Sequence, residues 1–283
     1  YIENPTNGGY YLASVSDKIY MTPHYGGMNM FNGLSSQLIF LKDALEHLGV
    51  NVQLIRHGKY KSAGEMFVRN SSSKENLQQN EEMIASMWES WKDAIAESRD
   101  LNPADLDRML NNLELNLPTD FLEKGLVDEL LTMDQLQDKI AMLFMTEDYK
   151  DVKSISLNDY SLLNTAGNPL GQNKIAIVYA EGNIVDGNAK EEVAGDRFAK
   201  ILQNIRNDKD IKAVVLRVNS PGGSVLASEK IKAQVDSLNV PVIASFGDYA
   251  ASGGYWISAS CDYIYANETT LTGSIGVFSM IPD

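Results

Sequence analysis

The sequence contains few of the residues that metal, disulfide or nucleic-acid chemistry requires. It has one cysteine, Cys261, and three histidines, so no internal disulfide can form. An HExxH motif, a cysteine cluster and the Gly-Lys-Ser/Thr ending of a phosphate-binding loop are all absent from the sequence. Lys and Arg number 24 against 38 Asp and Glu, giving a net charge of −14, which disfavours contacts with phosphate. We therefore expect no metal, no cofactor and no nucleic-acid partner.

Long apolar runs are also missing, since no stretch approaches the roughly 18 residues of a membrane-spanning helix. The chain starts at Tyr1 without a methionine and stops at Asp283, shortly after an apolar strand. We expect both ends to be cut, so a targeting segment could lie outside the sequence.

Among what is present, the most informative segment is Asp248–Trp256 (DYAASGGYW), in which small residues surround Ser252. A second segment, Val218–Ser224 (VNSPGGS), places a glycine turn directly after an apolar strand. A serine at a strand-to-helix turn can attack a carbonyl group, and glycine N–H groups can stabilise the resulting oxyanion. The two segments together indicate acyl-transfer chemistry.

An internal repeat connects the two ends of the chain. When Gly9 is aligned with Gly254, residues 8–20 (GGYYLASVSDKIY) lie over residues 253–265 (GGYWISASCDYIY). Two copies at this separation predict two related domains. Ser252 falls on Asn7, whose amide cannot act as a nucleophile, so only one copy is expected to react.

Strand and helix patterns alternate in the second half of the chain. Apolar strands are predicted at 174–179, 213–218 and 241–245, with helices between them, which favours a parallel sheet of α/β type. Residues 161–173 lack periodicity and predict a linker. We expect residues 1–160 to be the C-terminal part of a first, Lys-bearing repeat with a helical extension, and residues 174–283 to be the N-terminal part of a second, Ser-bearing repeat. Leucines at helical spacing also predict a helix over residues 34–48, ended by Gly49.

The base that would activate Ser252 is left open by the residues themselves. His57 is the most plausible of the histidines because it lies in a loop. A lysine is the alternative, as in Ser–Lys variants of the catalytic triad, because burial lowers the pKa of an amine and frees its lone pair. Lys61 has apolar and aromatic neighbours, and Lys59 competes with it.

Four motifs in a fixed order resemble the signal peptide peptidase A family, also called protease IV, in its long two-repeat form. Similarity runs from about Asn7 to the last residue and is weaker between roughly Leu101 and Gln172. The motifs are KYKSA at 59–63, NSPGGS at 219–224, AASGGYW at 250–256 and LTGSIG at 271–276.

The resemblance implies specific roles. Ser252 would be the nucleophile, Lys61 the general base, and Ser274 the residue that positions the lysine amine. The N–H groups of Gly223 and Gly253 would form the oxyanion hole. Lys61 comes from the first repeat, which would explain why that repeat has kept it while lacking the serine.

The resemblance further implies a Clp protease and crotonase-like ββα superhelix, here as two tandem related domains that we expect to be truncated. Family members degrade cleaved signal peptides and similar extended apolar peptides and assemble into homo-oligomers, here expected to be a ring. The parent protein would be anchored in the bacterial inner membrane, with its catalytic part facing the periplasm.

Two alternatives belong to other functional classes. A crotonase-like enzyme acting on acyl-CoA would reuse the oxyanion glycines but would need a carboxylate base, for which Glu181, Asp186 and Asp248 are the nearby acids. A non-catalytic assembly module would keep the serine as a relic, and a serine-reactive probe would then fail to label folded protein.

Overall fold

The computed structural model describes residues 1–24, 29–164 and 173–283. None of the helices in these ranges is long and apolar enough to cross a membrane. In chain order the elements are α1 (Asn7–Ser14), β1 (Tyr20–Met21), α2 (Lys42–His47), β2 (Val52–Arg56), α3 (Glu65–Val68), α4 (Lys74–Arg99), α5 (Pro103–Asn111), α6 (Pro118–Glu123), β3 (Glu129–Leu130), α7 (Met133–Leu143), a 3-10 turn (Tyr149–Asp151), α8 (Leu157–Asn164), β4 (Lys174–Glu181), β5 (Ile184–Val185), β6 (Val193–Ala194), α9 (Gly195–Asn207), β7 (Ile211–Ser220), α10 (Val225–Asp236), β8 (Val242–Ala251), α11 (Gly253–Trp256), β9 (Tyr263–Tyr265), β10 (Leu271–Gly273) and β11 (Phe278–Pro282).

The chain forms two compact units, each built from two separate stretches of sequence. Unit 1 comprises Tyr1–Ser35 and Met87–Pro169, and unit 2 comprises Ser36–Ser86 and Leu170–Asp283. These units are not the predicted segments 1–160 and 174–283, because residues 36–86 pack with the second half of the chain. The predicted linker, 161–173, begins inside α8, and its residues 165–172 lie outside the described residues. The division of the sequence into two repeats stays a prediction.

Unit 1 is mainly helical and contains its own hydrophobic core. Tyr10, Phe31 and Phe121 pack together in this core, with ring centroids 4.8 Å apart for the first pair and 6.4 Å for the second. The short strands β1 and β3 pair in parallel beside it. Helix α5 has a capped start, because the Asn102 side chain accepts a hydrogen bond from the Ala104 N–H and Pro103 follows the cap.

Unit 2 is organised around a parallel sheet of five strands. The order is β4, β7, β8, β10, with β9 also paired to β8, and each pairing is parallel. Buried and less buried side chains alternate along β7, so its Val214, Leu216 and Val218 enter the core while their neighbours face the other side. Helix α9 precedes β7, and α10 connects β7 to β8. This alternation of strands and helices confirms the predicted α/β fold class.

An antiparallel pair joins the two stretches that make up unit 2. Strand β2 pairs with β11, and Arg56 lies opposite Phe278 in the register. Residues 36–86 are thereby hydrogen bonded to the segment that follows β10. This pairing places the loop after β2 beside the carboxyl end of the parallel sheet.

The predicted helix over residues 34–48 is wrong for its first half, because only Lys42–His47 is helical. The N–H of Leu41 donates to the carbonyl of Met66 at 2.6 Å, so this part of the backbone bonds to α3 rather than to its own preceding turn. Leu38 and Leu48 are exposed. Gly49 does end the helix, with φ of +77° and a hydrogen bond from Val50 N–H back to Leu45.

Candidate active site

Ser252 lies on a tight turn between β8 and α11. Its φ of +54° is uncommon for a residue with a side chain, and its N–H donates to the carbonyl of Gly273 at 2.9 Å. The turn exists because β8 ends in small residues and because Gly254 packs against the backbone of Ser220, where a Cβ would approach within 2.5 Å of the carbonyl oxygen. The strained backbone presents the hydroxyl at the end of the sheet, a geometry that nucleophile turns of hydrolases also use.

Lys61 reaches this hydroxyl from the other stretch of unit 2. Only 8% of the Lys61 surface is exposed to solvent, and its Nζ lies 3.3 Å from Ser252 Oγ. The same Nζ donates to Ser274 at two atoms, the carbonyl oxygen at 2.7 Å and Oγ at 2.8 Å. The structure therefore brings together the three residues to which the resemblance assigns the chemistry.

Burial of Lys61 disfavours the charged form of its amine. Burial lowers the pKa of its amine from the ordinary lysine value, because the charged form loses hydration. In the part of the chain that the structure describes, no carboxylate forms an ion pair with Lys61 to oppose this effect. An amine with a lowered pKa that hydrogen bonds hold beside a hydroxyl can accept the proton of that hydroxyl.

The glycine turn after β7 faces the same place. Gly223 forms a bridge with Ile184, and Ser224 N–H donates to the Ile184 carbonyl at 2.8 Å. The N–H of Gly223 and that of Gly253 make no hydrogen bond to another described residue. Two N–H groups without a partner beside a serine hydroxyl can receive the negative oxygen of a tetrahedral intermediate.

A cavity of about 310 Å³ opens beside the serine. Its walls are mostly apolar and aromatic, and among the described residues Glu229 is the one carboxylate that lines it. The Glu229 side chain accepts a hydrogen bond from Trp256 Nε1 at 2.9 Å. The cavity is lined by Lys61, Gly223, Val225, Ser228, Glu229, Ser252, Gly253, Tyr255, Trp256, Ile275, Gly276, Val277 and Phe278.

The competing residues from the sequence do not line this cavity. His57 and Lys59 are both exposed, and Lys59 Nζ lies 3.9 Å from Glu75. Of the acids considered for an acyl-CoA enzyme, Asp186 accepts a hydrogen bond from Ser224 at 2.8 Å, and Glu181, Asp186 and Asp248 are all exposed. The structure thus offers none of these carboxylates as a base beside Ser252.

Asn7, the residue that the repeat aligns with Ser252, has a different role in unit 1. Its side chain donates to the Gly33 carbonyl at 2.6 Å and accepts from Asn32 N–H at 3.1 Å. Asn7 is the first residue of helix α1, whereas Ser252 is the N-cap residue that precedes α11. In unit 1 the side chain at the aligned position therefore holds the backbone of a loop through hydrogen bonds.

Several residues at the site were missed by the sequence reasoning. Ser228 and Glu229 line the cavity from α10, and Ser228 Oγ donates to the Ser224 carbonyl at 2.8 Å. Their position four and five residues after Ser224, on the helix that follows the glycine turn, was the available signal. Arg56 donates to the Lys61 carbonyl at 2.9 Å and was also missed.

A serine on a strained strand-to-helix turn, with a buried lysine amine 3.3 Å from its hydroxyl, is the geometry that a Ser–Lys pair requires. The sequence profile of peptidase family S49 matches residues 1–145 and 234–283. The chain therefore belongs to peptidase family S49. This membership confirms the predicted resemblance, and the parallel sheet agrees with the predicted α/β fold class.

Similar proteins are found over nearly the whole chain. Protease 4 of Haemophilus influenzae is 39% identical over 298 residues, covering 100% of this chain and 48% of that protein. Protease 4 of Salmonella typhi is 35% identical over 291 residues, covering 99% of this chain and 46% of that protein. A putative signal peptide peptidase SppA of Enterococcus faecium is 45% identical over 92 residues, covering 31% and 27%. The chain spans about half the length of the two Protease 4 relatives.

Proposed function

We propose that the protein is a serine endopeptidase in which Lys61 activates Ser252. The observation that supports this most directly is the 3.3 Å separation of Lys61 Nζ and Ser252 Oγ, with the amine held by Ser274. Family membership and the names of the relatives, Protease 4 and signal peptide peptidase, support the same activity.

The proposed reaction has two stages. Neutral Lys61 takes the hydroxyl proton as Ser252 Oγ bonds to the substrate carbonyl carbon, and the N–H groups of Gly223 and Gly253 stabilise the oxyanion. The lysine ammonium then gives its proton to the departing amide nitrogen, which leaves an acyl-enzyme. Lys61 next takes a proton from water, hydroxide attacks the ester, and the proton returns to Ser252 Oγ as the acid product leaves.

The proposed substrates are cleaved signal peptides and similar extended apolar peptides. The apolar walls of the cavity suit such side chains, because burying apolar surface is favourable.

We also propose that the whole protein forms a homo-oligomeric ring anchored in the bacterial inner membrane, with its active sites facing the periplasm. Light scattering of the full-length protein would test the ring, and protease accessibility in spheroplasts would test the location.

A fluorophosphonate probe followed by mass mapping tests the proposed pair. We expect labelling at Ser252 in the full-length protein, and loss of labelling in Lys61→Ala and Ser252→Ala. Lys59→Ala is the matched control, because that lysine belongs to the same loop but is exposed. Labelling of folded Lys61→Ala at the wild-type rate would remove Lys61 from the mechanism, and no labelling of folded wild type would favour the assembly-module alternative.

A further inference from the structure

Arg56, the last residue of β2, contacts the main chain of the proposed base. Its Nη1 donates to the carbonyl oxygen of Lys61 at 2.9 Å, and the same nitrogen lies 3.0 Å from Oε1 of Glu65. Lys61 lies in a loop, so its carbonyl has no neighbouring strand to bond to, and the guanidinium supplies the missing donor. Arg56 therefore links the base to a carboxylate behind it.

Glu65 is well suited to hold this arginine. It is only 1% exposed, and its Oε2 accepts hydrogen bonds from Ser73 N–H at 3.1 Å and Asn76 Nδ2 at 3.3 Å. Among the described residues, no donor makes a hydrogen bond of good geometry to Glu65 Oε1. The charge of the Arg56 guanidinium therefore stabilises this buried oxygen. Burial raises the pKa of Glu65, but the hydrogen bonds from Ser73 and the nearby guanidinium outweigh it and lower the pKa below its usual value.

The lysine is thus restrained at both ends. Its amine is held by Ser274, and its carbonyl is held by Arg56. The two restraints are connected, because β2 pairs with β11, which begins four residues after Ser274. A lysine has a flexible four-carbon stem, so a fixed amine position requires a fixed main chain as well.

We infer that Arg56 and Glu65 form a positioning pair that sets the distance between the Lys61 amine and the Ser252 hydroxyl. Neither residue lines the cavity, so neither contacts the substrate, and both act through Lys61. The inference rests on the proposed function, because it assigns a role in that same reaction. It predicts that loss of Arg56 slows attack by Ser252 while substrate binding is retained.

The test uses the full-length protein and two kinds of variant. Arg56→Gln/Glu65→Gln removes both charges, so no unpaired carboxylate remains buried to unfold the protein. Arg56→Ala leaves space for an added guanidinium ion. Arg69→Gln is the matched control, since the Arg69 side chain is exposed and donates through Nε to the nearby Ser71 carbonyl. The rate of fluorophosphonate labelling at Ser252, kcat and KM on an apolar peptide, and circular dichroism are measured for each.

We expect the labelling rate and kcat of the double variant to fall by at least about 10-fold, because displacing a reacting group by about 1 Å can cost up to about 100-fold. KM should stay within about twofold. Millimolar guanidinium chloride, but not sodium chloride, should restore part of the labelling rate of Arg56→Ala.

A folded double variant that labels at the wild-type rate would overturn this inference and leave the proposed function intact. Loss of the fold in both variants would have the same consequence. Wild type that does not label at Ser252, or labels without needing Lys61, would overturn the proposed function and this inference together.

Discussion

Replacing Gly223 by alanine should damage both the stability and the chemistry of the site. Gly223 has φ of +153°, and a Cβ built on it would lie 2.1 Å from the carbonyl oxygen of Ile184 and 2.9 Å from the carbonyl carbon. The obstructing atoms belong to the backbone, so no side-chain rotation can relieve the contact. Ile184 is itself held by hydrogen bonds to Gly222 and Ser224. The glycine turn must therefore move.

The size of the effect follows from two costs. A side chain in a sparsely populated backbone region costs about 1–3 kcal/mol, and forcing extra atoms into a packed region costs about 1–3 kcal/mol. We expect the free energy of unfolding to fall by about 2–6 kcal/mol, which is a large part of the roughly 5–15 kcal/mol that stabilises a typical domain. Alanine keeps the backbone N–H, but the displaced turn would move this donor away from the oxyanion. Loss of one oxyanion donor costs about 100- to 1,000-fold in kcat, so the folded fraction should lose activity to a similar extent.

Gly187→Ala is the matched control for this experiment. Gly187 also has a positive φ, +81°, but nothing lies within 4 Å of the position its Cβ would take, and it does not line the cavity. Gly187→Ala should lower the free energy of unfolding only by the cost of the strained backbone, and it should keep full activity. Urea unfolding gives the stability of both variants, and fluorophosphonate labelling gives the reactivity of Ser252. Equal stabilities for the two variants, with Gly223→Ala labelled at the wild-type rate, would refute the steric and oxyanion arguments together.

Three further predictions concern titration and hydrogen bonding. Because Lys61 must be neutral to act and burial lowers its pKa, kcat/KM should rise with pH through a midpoint below 10.5, and Lys61→Arg should be inactive at every pH. Ser274→Ala should lower kcat by roughly 2- to 10-fold, because one hydrogen bond to Nζ is lost while the Ser274 carbonyl remains; an unchanged kcat would argue against positioning by the hydroxyl. Burial raises the pKa of Asp128, but hydrogen bonds from Ile19 N–H, Lys18 and Arg99 outweigh it and lower the pKa to about 2. Asp128→Asn should therefore cost about 1–2 kcal/mol at neutral pH, and urea unfolding should show this difference shrinking as the pH falls from 3.8 through about 2. A pH-independent difference would contradict this account.

Local features of the second half were predictable because their causes are local. The alternation of apolar residues in β7, the small residues around Ser252 and the paired glycines at 222–223 each impose their structure over a few neighbouring residues. The helix over residues 34–48 failed for the opposite reason, since Leu41 takes a backbone partner, Met66, from a distant turn. The periodicity of apolar residues carries no information about such tertiary hydrogen bonds, which compete with those of the helix.

The amino-acid sequence by itself determined the strands and helices of the α/β unit, the glycine turn, the serine turn and the motifs that indicate its family. It left open whether His57, Lys59 or Lys61 lies beside Ser252, because residues 191 positions apart can be compared only through the fold. The tertiary structure decided this by pairing β2 with β11, which buries the Lys61 amine against two serines and places Arg56 and Glu65 behind it. Burial and long-range hydrogen bonding change an ordinary lysine into a candidate base, and both arise only when distant segments pack together.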